Sequence, residues 1–125
     1  MFILKTKKET LSAVLKHQKH ASDTELKNAI NGDIILISQT KDSLSDDEKS
    51  IKYSMKFKRC YKDSNNESNK IWGKHWKYII EGYNVKPLSI PFNIEDIQVS
   101  NKNYAPVVTH CRVDPLDEKE VLKYL

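Results

Sequence analysis

The chain has 125 residues, of which 38% are hydrophobic and 30% charged, and carries a net charge of +4. That size and composition allow one core without disulfide or metal staples, so a single domain over residues 1–125 is expected. The two cysteines, Cys60 and Cys111, lack a CxxC partner, and the start MFILKTKKE has too short an apolar patch for a signal segment. These features predict a cytoplasmic protein with reduced thiols, no metal, no cofactor and no membrane span.

The charge is unevenly spread. Residues 1–20 hold five cations and one anion, 21–50 three and seven, 51–86 nine and three, and 87–125 four and six. Positive charge concentrated in the first and third blocks suits an anionic partner if the two blocks meet in space; the alternative is a solvated surface that merely alternates along the chain.

Phe2 to Lys5 reads as a short strand. Thr6 with Glu9 has the capping-box spacing, and Leu11, Val14 and Leu15 follow at helical intervals, which predicts a first helix. Ser22 with Glu25 repeats the spacing, Leu26, Ala29 and Ile30 supply an apolar stripe, and Asn31-Gly32 supplies a left-handed stop, which predicts a second. Asp33 to Gln39 contains four consecutive apolar residues, as expected for a central strand covered on both faces.

Residues 40–49 are polar and acidic and predict an exposed loop. From Ile51 to Tyr61, apolar Ile51, Tyr53, Met55, Phe57 and Tyr61 alternate with Lys52, Ser54, Lys56, Lys58 and, beyond, Lys62; Arg59 alone interrupts the apolar side. Residues 63–70 (DSNNESNK) read as a loop. Trp76, Tyr78 and Ile80 predict a strand that Gly82 ends or bends, and Pro87 and Pro91 bracket a short edge strand, Leu88 to Ile90.

Asn93 to Ile97 suggests one helical turn, and Val107 to Val113 a last strand. Asp114 as cap, Pro115 in the first turn and Leu116, Val121, Leu122 and Leu125 describe a closing helix. The predicted fold class is α+β: a mixed or antiparallel sheet curled into a small barrel, with two amino-terminal helices and one carboxy-terminal helix.

The helix ending in Asn31-Gly32-Asp33, the strand IILIS behind it and the later aromatic strand WKYII resemble the PUA-like superfamily, and within it the EVE group, akin to the YTH and ASCH domains. The resemblance spans nearly the whole chain and implies a reader of RNA, or of a modified base in RNA or DNA, that grips the base in an aromatic pocket beside a basic surface. The chain departs from the EVE pattern in having no tryptophan near its amino terminus.

A base-reading pocket needs rings that stack on the base and polar groups that meet its edge, stacking being worth about 1–3 kcal/mol per base. Trp72, Trp76, Tyr78 and Tyr83 are the candidate rings, with Lys70, Lys74, His75 and Lys77 around them as candidates to hold phosphates. Period-two aromatic residues are usually core, which Trp72, following a polar loop, escapes. Lys52, Lys56 and Lys58 would stand about 7 Å apart along a strand, a spacing able to follow a phosphate backbone, or else form a solvated sheet face. Arg59 and Arg112 are the only arginines and suit binding to phosphate or base, or pairing with buried acids. Ser38 and Gln39, at one strand end, and Asn103 and Tyr104, on an opposite rim, are candidates for reading a base edge.

Two other functions compete. Some ASCH domains resemble small amidohydrolases that use Lys, Thr and Glu on a modified pyrimidine, for which Lys5, Thr6 and Glu81 are candidates here. A protein-interaction module of a defence or toxin-type system is the third reading. The four histidines have no acid at metal-binding spacing, and no GxSxG or Gly-rich phosphate loop is present.

Overall fold

A computed structural model describes residues 1–6, 10–39, 50–93, 110–113, 115–123 and 125. Its elements in chain order are β1 (Phe2–Thr6), α1 (Leu11–His17), β2 (Lys19–Ser22), β3 (Ile34–Gln39), β4 (Ser50–Lys62), α2 (Glu67–Trp72), β5 (Tyr78–Asn93), β6 (His110–Arg112) and α3 (Pro115–Leu122). Six strands form one mixed sheet in the order β2-β5-β4-β3-β1-β6. β1 and β3 run parallel, and every other pairing is antiparallel. Among the described residues the sheet is open, with β2 and β6 at its edges, so the predicted closure into a barrel is not seen.

Each face of the sheet buries an apolar layer, as the four-residue apolar run in β3 requires. Ile3, Leu36 and Ile51 pack on one face with Met1, Leu88 and Val121, which docks α3. Phe2, Leu4, Ile35, Ile37, Met55 and Phe57 pack on the other with Val14 of α1. Consecutive residues Ile35, Leu36 and Ile37, each at most 2% exposed, therefore serve two different cores.

Three helical expectations change. Thr6 lies in β1 and its hydroxyl bonds that of Thr10, so α1 begins at Leu11 and not behind a Thr6 cap; Glu9 lies outside the described residues. No second helix follows Ser22. Its hydroxyl accepts from the Thr24 amide at 3.0 Å and donates to the Thr24 carbonyl at 2.8 Å, a local turn that competes with a helix start, and Asn28 is left-handed. The segment before it pairs as β2 with β5. Conversely, the DSNNESNK loop contains α2, stopped by left-handed Gly73.

β5 is one strand where two are expected. Trp76 precedes it, and it runs through Gly82 and both prolines. The prolines are tolerated because β2 pairs only with Tyr78 to Glu81, leaving the later half of β5 bonded to β4 alone. Gly82 fits because a Cβ there would lie 2.8 Å from the Lys56 carbonyl and 2.6 Å from Met55 Sδ. Gln18, left-handed at the end of α1, extends the β2 edge: its carbonyl accepts from the Gly82 amide at 2.8 Å and its side-chain oxygen from the Val85 amide at 3.1 Å.

The interruption at Arg59 also has a structural cause. Phe57 faces Gly82 while Arg59 faces Glu81, so Lys58 is an extra residue in β4, a bulge. Past it the alternation reverses: Cys60 joins the core of Met55 and Phe57, while Arg59 points the other way. β1, β3 and α3 follow expectation. Residues 94–97, 107–109 and Asp114 lie outside the described residues, and no described helix is long and apolar enough to cross a membrane.

Candidate nucleic-acid interface

The turn from β4 to β5 is a closed loop. The Asp63 amide donates to the Lys77 carbonyl at 2.8 Å, shutting residues 63–77 at their base. Inside, the Asp63 carboxylate is 1% exposed and accepts from the Glu67 amide (2.8 Å), the Ser68 amide (3.0 Å) and the Ser68 hydroxyl (2.5 Å). It thus satisfies the orphan amides at the start of α2. Burial alone would raise this carboxyl, but the hydrogen bonds from Ser68 and Glu67, with His75 nearby, outweigh it and hold it below the usual aspartate range. Ser68 Oγ also accepts from the Trp76 amide at 2.8 Å, and His75 Nδ1 donates to Asn66 Oδ1 at 2.9 Å.

A second knot pins the loop to the sheet. Glu67 accepts from Lys19 Nζ of β2 and, at 2.6 Å, from the Tyr61 hydroxyl of β4. The hydrogen bonds from Lys19 and then Tyr61 depress the Glu67 carboxyl. Burial, with the hydrogen bond to Glu67 behind it, pushes the Tyr61 phenol up to about 12. The bond to Glu67 raises Lys19 against its burial.

What this frame presents outward is cationic and aromatic. Lys74 Nζ sits 4.2 Å from the centroid of the Trp76 ring, and the Arg59 guanidinium 4.8 Å from that of Tyr61. On the same loop and strand end Lys58, Lys62, Lys70 and Lys77 are exposed, and among the described residues none has an ion-pair partner.

Lys74 and Trp76 therefore come together at the loop, with Arg59 on the adjoining stretch of β4, while Tyr78 opens β5 opposite Lys62 and Ser22. Arg59 Nε also bonds Glu81 at 3.2 Å. Trp72 does not join them as an open ring: it ends α2, half-buried against the core of Met55 and Phe57. The lysines of β4 do not form one row. Lys56 lies opposite Ile34, on the side of the α3 core, whereas after the bulge Lys62 shares the side of Cys60. Lys52 is half-buried.

Ser38 is buried and its hydroxyl donates to the Leu4 carbonyl at 3.3 Å, so it ties β3 to β1. Gln39 closes β3 opposite Thr6, and Arg112 lies in β6 opposite Phe2. Asn103 and Tyr104 lie outside the described residues. The residues considered for hydrolysis are engaged separately: the Lys5 carbonyl with His20, the Thr6 hydroxyl with Thr10 and Glu81 with Arg59. Lys19, Tyr61, Asp63, Glu67 and Ser68 build the site without having stood out in the sequence. The one local signal for them is an aspartate, Asp63, four positions before Glu67, since an acceptor of this kind is favoured ahead of a helix start.

These features define a small α+β sheet domain with a rigid, basic and aromatic corner. Its fold is similar to that of solved ASCH structures. The crystal structure of ASCH from Zymomonas mobilis superposes with a TM-score of 0.58 over 98% of this chain and 93% of that one, at 10% identity. A tyrosine-to-phenylalanine mutant of that protein matches with a TM-score of 0.58 over 98% and 96%, also at 10% identity. The NMR structure of Rpa0253 from Rhodopseudomonas palustris matches with a TM-score of 0.54 over 98% and 90%, at 18% identity. No family model and no curated protein sequence matches the chain.

Proposed function

We propose that this protein binds nucleic acid through the corner formed by the 63–77 loop and the adjoining end of β4, reading RNA or a modified base. The observation that carries the proposal is the set of exposed lysines on the loop and the adjoining strand end, Lys58, Lys62, Lys70 and Lys77, unneutralised among the described residues, together with the Lys74–Trp76 and Arg59–Tyr61 pairs. Ammonium groups without carboxylate partners release counterions from a phosphate backbone, and rings beside them stack on bases of any sequence. The ASCH-like fold supports this reading. The finer likeness to EVE domains, and with it recognition of a modified base, rests on the sequence motifs.

The loop's internal hydrogen bonds favour binding because little further ordering is needed. A frame already fixed by Asp63 and Glu67 spares the entropy that a mobile loop would lose. Trp76, half-buried and tipped by Lys74, is the ring to test, while Trp72 is the control whose loss acts through packing. Trp76→Ala is expected to weaken binding to single-stranded oligonucleotides by about 1–3 kcal/mol with the melting temperature little changed, and to abolish any preference for a modified base. Equal binding by Trp76→Ala and wild type would remove the loop from the interface.

A further inference from the structure

A cleft of about 360 Å³ opens away from this corner, lined by Ile34, Ser54, Lys56, Asn84, Lys86 and Leu125 together with Met55 and Val85. Its origin is a second bulge. Ser54 pairs with Lys86 and Lys56 with Tyr83, so Asn84 and Val85 of β5 face Met55 alone. Asn84 absorbs the extra residue in a left-handed conformation, φ 54°, which asparagine tolerates better than most side chains. The bulge is held from behind by Gln18, whose side chain accepts from the Val85 amide.

The lining is chemically mixed in a specific way. Direct cross-strand partners share a face, so Ile34 and Lys56 stand together, as do Ser54 and Lys86 one step along. Ile34 and Leu125 are apolar walls that continue into the α3 core. Lys56 and Lys86 are exposed and, among the described residues, have no ion-pair partner. Ser54 is the sharpest feature: it is 3% exposed, lines the cleft, and its hydroxyl makes no hydrogen bond among the described residues. The hydroxyl opens to the cleft, where a ligand acceptor or donor can meet it.

We infer that this cleft holds a single nucleotide unit, with the base between Ile34 and Leu125, its polar edge on the Ser54 hydroxyl and the Asn84 amide, and its phosphate on Lys56 and Lys86. The volume falls at the small end of the range for small-molecule pockets. Two cations alone would suit any anion; the apolar walls and the Ser54 hydroxyl that lines the cleft select one carrying a flat, partly polar ring. The choice of ligand rests on the nucleic-acid reading above, and the cleft deepens it by adding a place for one base apart from the loop.

The test is a proton–nitrogen correlation NMR titration of the whole chain with each common ribonucleoside monophosphate, with inorganic phosphate, and with a single-stranded oligonucleotide. The expected result is saturable shifts at the Ser54, Lys56, Asn84 and Lys86 amides with at least one mononucleotide, and little change with phosphate. Ser54→Leu, which fills the cleft, and Lys86→Ala, at an exposed position that leaves folding intact, should each weaken that mononucleotide by about tenfold or more. Phosphate shifting the same amides as strongly as a nucleotide would overturn the proposal. So would oligonucleotide shifts confined to the 63–77 loop with no mononucleotide response in the cleft, a result that leaves the loop interface standing. Cleft shifts with a mononucleotide but no oligonucleotide binding would uphold the cleft and overturn the loop interface.

Discussion

The Ser68 hydroxyl donates to the buried Asp63 carboxylate at 2.5 Å and accepts from the Trp76 amide at 2.8 Å, so one small side chain joins the start of α2 to the ring that the loop presents. Ser68 itself is fully buried. Ser68→Ala leaves a carboxylate short of a donor and an amide short of an acceptor, which should cost about 1–3 kcal/mol. Urea unfolding followed by tryptophan fluorescence would show the loss as a lower midpoint with unchanged slope. A neutral result would mean that the loop is not held as described.

Gly82 tests the packing between β4 and β5. A methyl group there meets the Lys56 carbonyl, which the ladder fixes, as well as the movable sulfur of Met55. Gly82→Ala is therefore expected to destabilise the protein by about 1–3 kcal/mol, read as a drop in the thermal midpoint, even though Gly→Ala in a relaxed strand would be favourable or neutral.

The acid limb of stability should be set largely by Asp63 and Glu67. Both carboxyls titrate lower in the folded chain than their ordinary values of 3.8 and 4.5, so the unfolded chain takes up protons first. Their contribution is complete above the ordinary values and is lost as the pH falls through the folded ones. The Tyr61 phenol has the opposite sign: with its folded value near 12 against an ordinary 10.0, its contribution is lost between those two pH values. Glu67→Gln should flatten both limbs in a series of denaturation curves across pH.

Arg59 holds Glu81, a carboxylate whose residue is 8% exposed. Removing only the cation strands a nearly buried charge, so Arg59→Met should destabilise, on the order of 1–3 kcal/mol at this partly exposed site. Arg59→Met with Glu81→Gln should recover much of that loss, which a double-mutant cycle in urea would measure.

How far these features are legible in the sequence depends on whether a local pattern has competition. β3 is plain because DIILISQ admits no helical face, and α3 because Pro115 and the following leucines and valine agree. β2 is hidden, since Lys19 to Ser22 is four residues long with no apolar alternation, and the Ser22–Glu25 spacing mimics a helix cap that the chain uses as a turn. α2 is hidden for the converse reason: six polar-rich residues have little propensity, and their helix depends on Asp63. The lysines of β4 read as one row because nothing local marks Lys58 as the extra residue that reverses the strand. For the site, the chemistry of Lys74, Trp76 and Tyr78 is enough to single them out. Ser54, Asn84 and Lys86 escape such a reading, because only strand register brings them together.

Lysines of the 63–77 loop, unneutralised among the described residues, are proposed to bind a phosphate backbone, and the most direct test is the salt dependence of the affinity for a single-stranded oligonucleotide. Wild type would be compared with a variant carrying Lys70→Ala, Lys74→Ala and Lys77→Ala. Affinity should fall steeply and linearly on logarithmic axes as salt rises, and the variant should bind more weakly, with a slope smaller by about 0.7 for each phosphate that it no longer neutralises. Equal slopes for the two proteins, or no binding by wild type at low salt, would contradict the proposal.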